Sequence, residues 1–247
     1  MIIHHGGAWL EFLLSIAGFD PTGGAGILRD IRTFNYFGFY GTAVITANTA
    51  QNTKGVKKIS FVDGKLIEEQ LRLIAEEFNI KGVKIGIPHI DYSVNRKIAD
   101  FIGRLKIPVV FDPVISPTFG KRFIEKPETI LPLIEVSTVI TPNFKEFEIL
   151  KPPLKRHRNF TVVKGILKGN LVEDHLLKAG NVVSKVLHKK DNLTVRGTGC
   201  AFSSALLCFL VKGYPVETAF KEAAGFLETF RRESFISGSM KQWFSKL

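Results

Sequence analysis

FLLSIAGFDPTGGAGILRDIRTFNYF, residues 12–37, changes its periodicity twice. Phe12–Ala17 is a short apolar run of the kind that forms a buried strand. Gly18–Gly26 follows as a glycine-rich turn. Ile27–Phe37 then brings Ile27, Ile31, Phe34 and Phe37 to one face of a helix. Strand, tight turn and amphipathic helix together open a βαβ unit.

The same alternation continues outward. Tyr40–Thr46 is strand-like and Lys57–Phe61 is a short extended piece. Asp63 is a good N-cap for a helix through Phe78, in which Leu66, Ile67, Leu71 and Ile74 recur at helical spacing. Gly82–Ile85, Val109–Phe111, Thr138–Ile140 and Phe160–Val163 read as strands. Asp91–Leu105 and Phe144–Leu150 read as helical. Asn170–His175 and Val182–His188 suit an antiparallel pair, and Cys200–Val211 and Pro215–Phe235 close the chain as helices. Strands spaced by helices predict an α/β fold with a mainly parallel sheet. No repeat, linker or composition shift divides residues 1–247, so one domain is expected.

Composition narrows the function. With 45% hydrophobic and 23% charged residues among 247, a packed core is expected rather than disorder. No apolar run reaches membrane-spanning length, and Met1–Leu14 lacks the basic start of a secretory signal. Two cysteines, Cys200 and Cys208, sit eight positions apart. On one helix that is about 12 Å, beyond the ~7 Å that a disulfide spans. A reducing, cytoplasmic setting fits. The net charge of +11 suits anionic ligands. The basic residues are scattered and not interleaved with aromatics, which argues for a solvated basic surface and against a nucleic-acid-binding face.

The residues able to do chemistry fall where strands end, and in a parallel sheet ligands bind beyond those carboxyl ends. Gly18-Phe19-Asp20 follows the first strand, and Gln51-Asn52 lies past the second. Asp112 and Asn143 follow later strands, and Lys164 the strand after those. The glycines at 18, 23, 24 and 26 lack the spacing of a dinucleotide fingerprint, and the chain has no Walker-type Gly-Lys-Ser/Thr. They suit either close backbone approach to a ligand or a tight structural turn. Arg196-Gly197-Thr198-Gly199-Cys200 precedes an apolar helix. Its freed backbone N–H groups and helix dipole suit a transferring phosphoryl group, and a cysteine there is placed for thiolate stabilisation. The plainer reading of Cys200 is a small buried filler. Asn143 and Glu146, three apart in Thr141-Pro142-Asn143-Phe144-Lys145-Glu146, suit either ordering of Mg²⁺ around phosphates or a helix capping box.

Taken together, these segments resemble the hydroxymethylpyrimidine (phosphate) kinases, a vitamin-kinase branch of the ribokinase superfamily. The resemblance is carried by Ser15–Ile27, by Gly41–Ala47 with Ala50-Gln51-Asn52-Thr53-Lys54-Gly55-Val56, and by Asp112-Pro113-Val114. Thr141-Pro142-Asn143 with Glu146, Val163-Lys164-Gly165 and Gly197-Thr198-Gly199-Cys200 complete it, across about Phe12 to Phe226. It implies a three-layer α/β/α sandwich, ATP and Mg²⁺ as co-substrates, and phosphorylation of 4-amino-5-hydroxymethyl-2-methylpyrimidine and its monophosphate in thiamine biosynthesis. By position, Gln51 is implied to bind the aminopyrimidine edge, with Asp20, Gly18 and Ile87 in the substrate pocket. Asn143 and Glu146 would serve Mg²⁺ and phosphates. Lys164, with Asp112 and Thr198, would meet the nucleotide. Gly197, Thr198, Gly199 and Cys200 would form the catalytic anion hole. A homodimer is implied because relatives form them.

Most of the superfamily has an aspartate base where Cys200 stands, which points to the pyrimidine branch. A pyridoxal or pyridoxine kinase is the sister alternative, and a ligand-binding member without turnover is the alternative of another class. Three features depart from the family pattern. Ile87-Pro88 stands where Met-Leu is common, Leu150–Phe160 is short, and residues 1–11 have no counterpart.

Overall fold

The computed structural model describes residues 10–116, 123–154, 159–190, 193–237 and 239–247. The expectation about the chain's start, and much of the short segment near 155–158, therefore lie outside the described residues. Among the described residues, eleven strands and seven α-helices follow one another as β1 (Phe12–Phe19), α1 (Gly26–Tyr36), β2 (Tyr40–Asn52), β3 (Gly55–Phe61), α2 (Gly64–Glu77), β4 (Ile80–Ile85), α3 (Tyr92–Leu105), β5 (Val109–Phe111), α4 (Leu131–Val136), β6 (Val139–Ile140), α5 (Phe144–Leu154), β7 (Phe160–Lys168), β8 (Leu171–Lys178), β9 (Asn181–Lys189), α6 (Thr198–Val211), α7 (Val216–Arg232), β10 (Ser234–Phe235) and β11 (Phe244–Ser245). Nine strands form one sheet in the order β3-β2-β1-β4-β5-β6-β7-β8-β9. The six central strands pair in parallel. β3 closes one edge and β8–β9 the other, all antiparallel.

Side-chain alternation explains the three layers. Successive strand residues point to opposite faces, so Leu13, Val110, Val139 and Val162 join α1, α6 and α7 on one side. Leu14, Ile16, Val83, Phe111 and Ile140 join α2, α3, α4 and α5 on the other. The central strands are apolar on both faces, as a covered parallel sheet requires. Asp63 caps α2, accepting from the N–H groups of Lys65 and Leu66, and Asp91 caps α3 through Ser93.

Several boundaries differ from the sequence expectation. β2 runs six residues beyond Thr46, because antiparallel pairing with β3 gives its outer half a partner. α7 ends at Arg232, and Ser234–Phe235 pairs with Phe244–Ser245 instead of extending the helix. α4, preceded by a 3-10 turn at Pro127–Ile130, has no apolar period long enough to announce it. α5 continues through Pro152 to Leu154, although a proline normally ends a helix.

Candidate active site

One cleft of about 950 Å³ lies across the carboxyl ends of the parallel strands. It gathers Gly18, Asp20, Gln51, Ile87, Asp112, Asn143, Glu146, Lys164 and the run Gly197, Thr198, Gly199 and Cys200 into its wall. Every site residue that the resemblance implied is thus brought to one place, although the positions span almost two hundred residues.

Two glycine turns build the floor. Gly26 has φ 59°, and a Cβ on it would lie 2.2 Å from the Gly18 carbonyl oxygen. Gly197, the N-cap of α6, has φ 78°, and a Cβ on it would lie 2.0 Å from the Gly24 carbonyl oxygen. The two loops therefore interlock backbone to backbone, which only glycine permits. No side chain caps α6, and the first intrahelical bond runs from Ala201 N–H to Gly197 C=O at 2.8 Å. The N–H groups before Ala201 have no intrahelical partner, and the positive end of the helix dipole adds to them.

Lys164 stands beside that helix start. A Cβ on Gly199 would lie 3.4 Å from Lys164 Nζ and 3.6 Å from Asp112 Oδ2. Lys164 donates to Asp112 Oδ1 at 2.9 Å, and the Thr141 hydroxyl donates to the same oxygen at 3.3 Å. Lys164 is held in place from both sides. Its N–H donates to the Pro142 carbonyl at 2.9 Å. Asp174 accepts from Gly165 N–H at 2.7 Å, where a bulge and φ 76° turn the strand. Burial alone pushes Asp112 up, but Lys164 and Lys84 outweigh it and hold the carboxyl below its usual range.

Asn143 and Glu146 form a reciprocal cap on α5. Glu146 accepts from Asn143 N–H at 3.0 Å, and Asn143 Oδ1 accepts from Glu146 N–H at 3.0 Å. The capping-box alternative is therefore present in the fold. It does not exhaust Glu146, whose side chain is buried and pushed up to about 7 by that burial and by the Asp112 charge. Among the described residues, no three His, Cys, Asp or Glu side chains converge into a metal cage.

Cys200 corrects the thiolate expectation. Burial pushes its thiol up. Lys84 and the Gly26 N–H oppose that, while Asp30 and Asp112 reinforce it. Desolvation is the largest of these influences and sets the direction. Both cysteines are free, as their spacing predicted.

On the substrate side, Ile87 packs onto Gly18, where a Cβ would lie 2.6 Å from Ile87 Cδ1. Thr46 fixes the Ile87 carbonyl by donating to it at 2.6 Å. Asp20 folds back to accept from Thr22 and Ala25 N–H groups and from Arg196 Nε. The sequence showed Arg196 only as the start of the glycine motif, with no role, and did not reveal the buried Lys84–Asp30 pair. Ser15 and Ser204 also donate to Asp30, at 2.6 and 2.9 Å.

A sheet of this order, with a lysine beside an uncapped helix start at its carboxyl edge, defines a ribokinase-like small-molecule kinase. A model of the phosphomethylpyrimidine kinase family matches residues 20–243. The chain belongs to the phosphomethylpyrimidine kinase family and is a phosphotransferase. It is 35% identical over 238 residues to the hydroxymethylpyrimidine/phosphomethylpyrimidine kinase of Aquifex aeolicus (strain VF5), covering 87% of this chain and 91% of that one. The crystal structure of phosphomethylpyrimidine kinase from Clostridium difficile 630 superposes with a TM-score of 0.71 at 30% identity, covering 89% and 98% of the two chains. An ADP complex of Bacillus subtilis pyridoxal kinase superposes with a TM-score of 0.80 at 26% identity, covering 96% and 97%. Among the described residues, no helix is long and apolar enough to cross a membrane.

Proposed function

We propose that this chain transfers the terminal phosphoryl group of ATP to 4-amino-5-hydroxymethyl-2-methylpyrimidine or its monophosphate, a step of thiamine biosynthesis. The observation that carries this reading is one cleft whose wall holds Lys164 and the start of α6 together with Gln51, Asp20 and Ile87. Lys164 and the backbone N–H groups at the start of α6, which no side chain caps, are read as the phosphoryl-binding part. Gln51, Asp20 and Ile87 are read as the part that binds the ring. The family match and the aligned relative support the pyrimidine. The higher TM-score with a pyridoxal kinase keeps that sister substrate as the second reading, because the shared fold alone does not select between the rings.

In this reading, the Gly197–Cys200 amides hold the transferring group as charge develops on it. Lys164, oriented by Asp112 and Thr141, binds nucleotide phosphates, with Thr198 next to them. Gln51 and Asp20 hold the ring so that its hydroxymethyl oxygen faces the helix start. Glu146 and Asp112 form a carboxylate pair whose mutual repulsion suits a divalent cation, with Asn143 fixing Glu146. Mg²⁺ bound there would neutralise phosphate charge. We further propose one kinase domain over residues 1–247, acting as a cytoplasmic homodimer on small molecules, without nucleic-acid or membrane partners.

The test is a coupled ADP-release assay with the pyrimidine alcohol, its monophosphate and pyridoxal. Turnover with at least one pyrimidine, lost in Lys164→Met, is expected. Turnover of no pyrimidine contradicts the reading.

A further inference from the structure

Arg196 is the last residue before the glycine turn into α6, and it is 9% exposed. Its guanidinium donates in three directions. Nε reaches Asp20 Oδ2 at 3.0 Å, Nη1 reaches Gln242 Oε1 at 2.8 Å, and Nη2 reaches Gln51 Oε1 at 2.6 Å. These acceptors come from the loop after β1, the C-terminal segment and the end of β2. Gly24 makes room for the arginine, since a Cβ there would lie 2.6 Å from Arg196 Cδ. The backbone is also anchored, with Arg196 N–H donating to the Trp243 carbonyl at 2.8 Å and Trp243 N–H to the Thr194 carbonyl at 2.9 Å.

A guanidinium has five donors and no acceptor. The Gln51 atom that faces it must therefore be Oε1, which fixes the orientation of the amide. The Gln51 NH₂ group is turned away from Arg196, and Gln51 lines the cleft. A free glutamine offers a ligand one donor face and one acceptor face alike. This one has its acceptor engaged by a buried cation and its donors uncommitted to that clamp.

We propose that Arg196 is a positioning residue for substrate selection. By holding Gln51 Oε1, it aims the Gln51 NH₂ donors at a ring-nitrogen acceptor of the heteroaromatic alcohol. This inference rests on the reading of the cleft as a heteroaromatic-alcohol kinase site. It also explains why the C-terminal segment returns to the cleft: Gln242 occupies the arm of the fork that Asp20 and Gln51 leave open.

Gln51→Glu tests the donor direction. The carboxylate keeps an oxygen for Arg196 but has no N–H to give. Under mildly alkaline conditions, where an aminopyrimidine ring nitrogen carries no proton, KM for the pyrimidine alcohol should rise about tenfold or more, the range of a lost buried hydrogen bond. KM for ATP and the Tm should hold. A normal pyrimidine KM in Gln51→Glu overturns the proposal.

A double-mutant cycle tests the action through Gln51. Arg196→Met should raise the pyrimidine KM about tenfold in the unsubstituted protein and change it little in Gln51→Ala. An equal effect in both backgrounds means a merely structural arginine and overturns the proposal. If Arg196→Met does not fold, Arg196→Lys, which keeps the charge but loses the three-way fork, takes its place in the cycle. If the unsubstituted protein phosphorylates no heteroaromatic alcohol, the functional reading fails first and this inference with it.

Discussion

Lys84 Nζ lies 3.0 Å from Asp30 Oδ2, and neither side chain has any exposed surface. Burial opposes the lysine's charge, but Asp30 and Asp112 outweigh it and keep Lys84 protonated. Burial lifts Asp30 as well, yet the lysine and two hydroxyls give its charge a full set of partners. The pair lies behind Cys200 and connects β1, α1, β4 and α6. Breaking one side strands a buried charge, at a cost of about 3–5 kcal/mol. Asp30→Asn should therefore lower the unfolding free energy by about that much, and the double variant with Lys84→Met should cost less than the sum. Additive losses in chemical denaturation would show that the two charges do not depend on each other.

Glu146 sets a pH dependence whose sign is fixed. Its folded pKa of about 7 lies above the ordinary 4.5. Below the ordinary value both states are neutral and the group is silent. Between the two values the unfolded chain ionises first, so stability falls as pH rises, by on the order of 3 kcal/mol once pH passes the folded value. Gln keeps the cap on Asn143 without the charge. Glu146→Gln should therefore gain stability relative to the unsubstituted protein between mildly acidic and mildly alkaline pH. Its kcat should fall and its Mg²⁺ requirement rise. Early melting with an unchanged Mg²⁺ profile would leave Glu146 only a cap.

Cys200 should prove slow to alkylate in the native protein, because burial holds it as the thiol. Cys200→Ala should keep the fold and the pyrimidine KM while losing about tenfold in kcat, the low edge of acid–base effects. If the thiol accepts the substrate's proton, kcat should climb with pH above the ordinary thiol range, and that climb should vanish in Cys200→Ala. Full activity in Cys200→Ala would leave the α6 amides to act alone.

Two neighbouring glycines should behave differently. In Gly197→Ala the Cβ would lie 2.0 Å from a backbone oxygen in a left-handed conformation, so the protein should unfold early. A Cβ in Gly199→Ala meets only Lys164 and Asp112 at contact distance. That variant should fold normally and lose most of its kcat by filling the phosphoryl cradle. Normal kcat in Gly199→Ala would remove the helix start from the chemistry.

The layers and most elements were legible because their signals are local. Strand runs, helical periods and the Asp63 cap each lie within a dozen residues. The cleft residues were legible because a parallel sheet gathers the ends of its strands at one edge. Arg196 was not, since its partners lie 176, 145 and 46 residues away and no spacing links them. The Lys84–Asp30 pair, 54 residues apart, was hidden for the same reason. The thiolate expectation failed because a helix start is visible in sequence, whereas the depth of burial that overrides it is not.

As proposed, this cleft selects a hydroxymethyl pyrimidine over pyridoxal. One competition measures it directly, with the pyrimidine alcohol and pyridoxal mixed in equal amounts, ATP limiting, and both phosphorylated products quantified by mass spectrometry. The product ratio is the ratio of the two kcat/KM values. The phosphorylated pyrimidine should predominate. An excess of pyridoxal phosphate, or ATP consumed without either product, would contradict it.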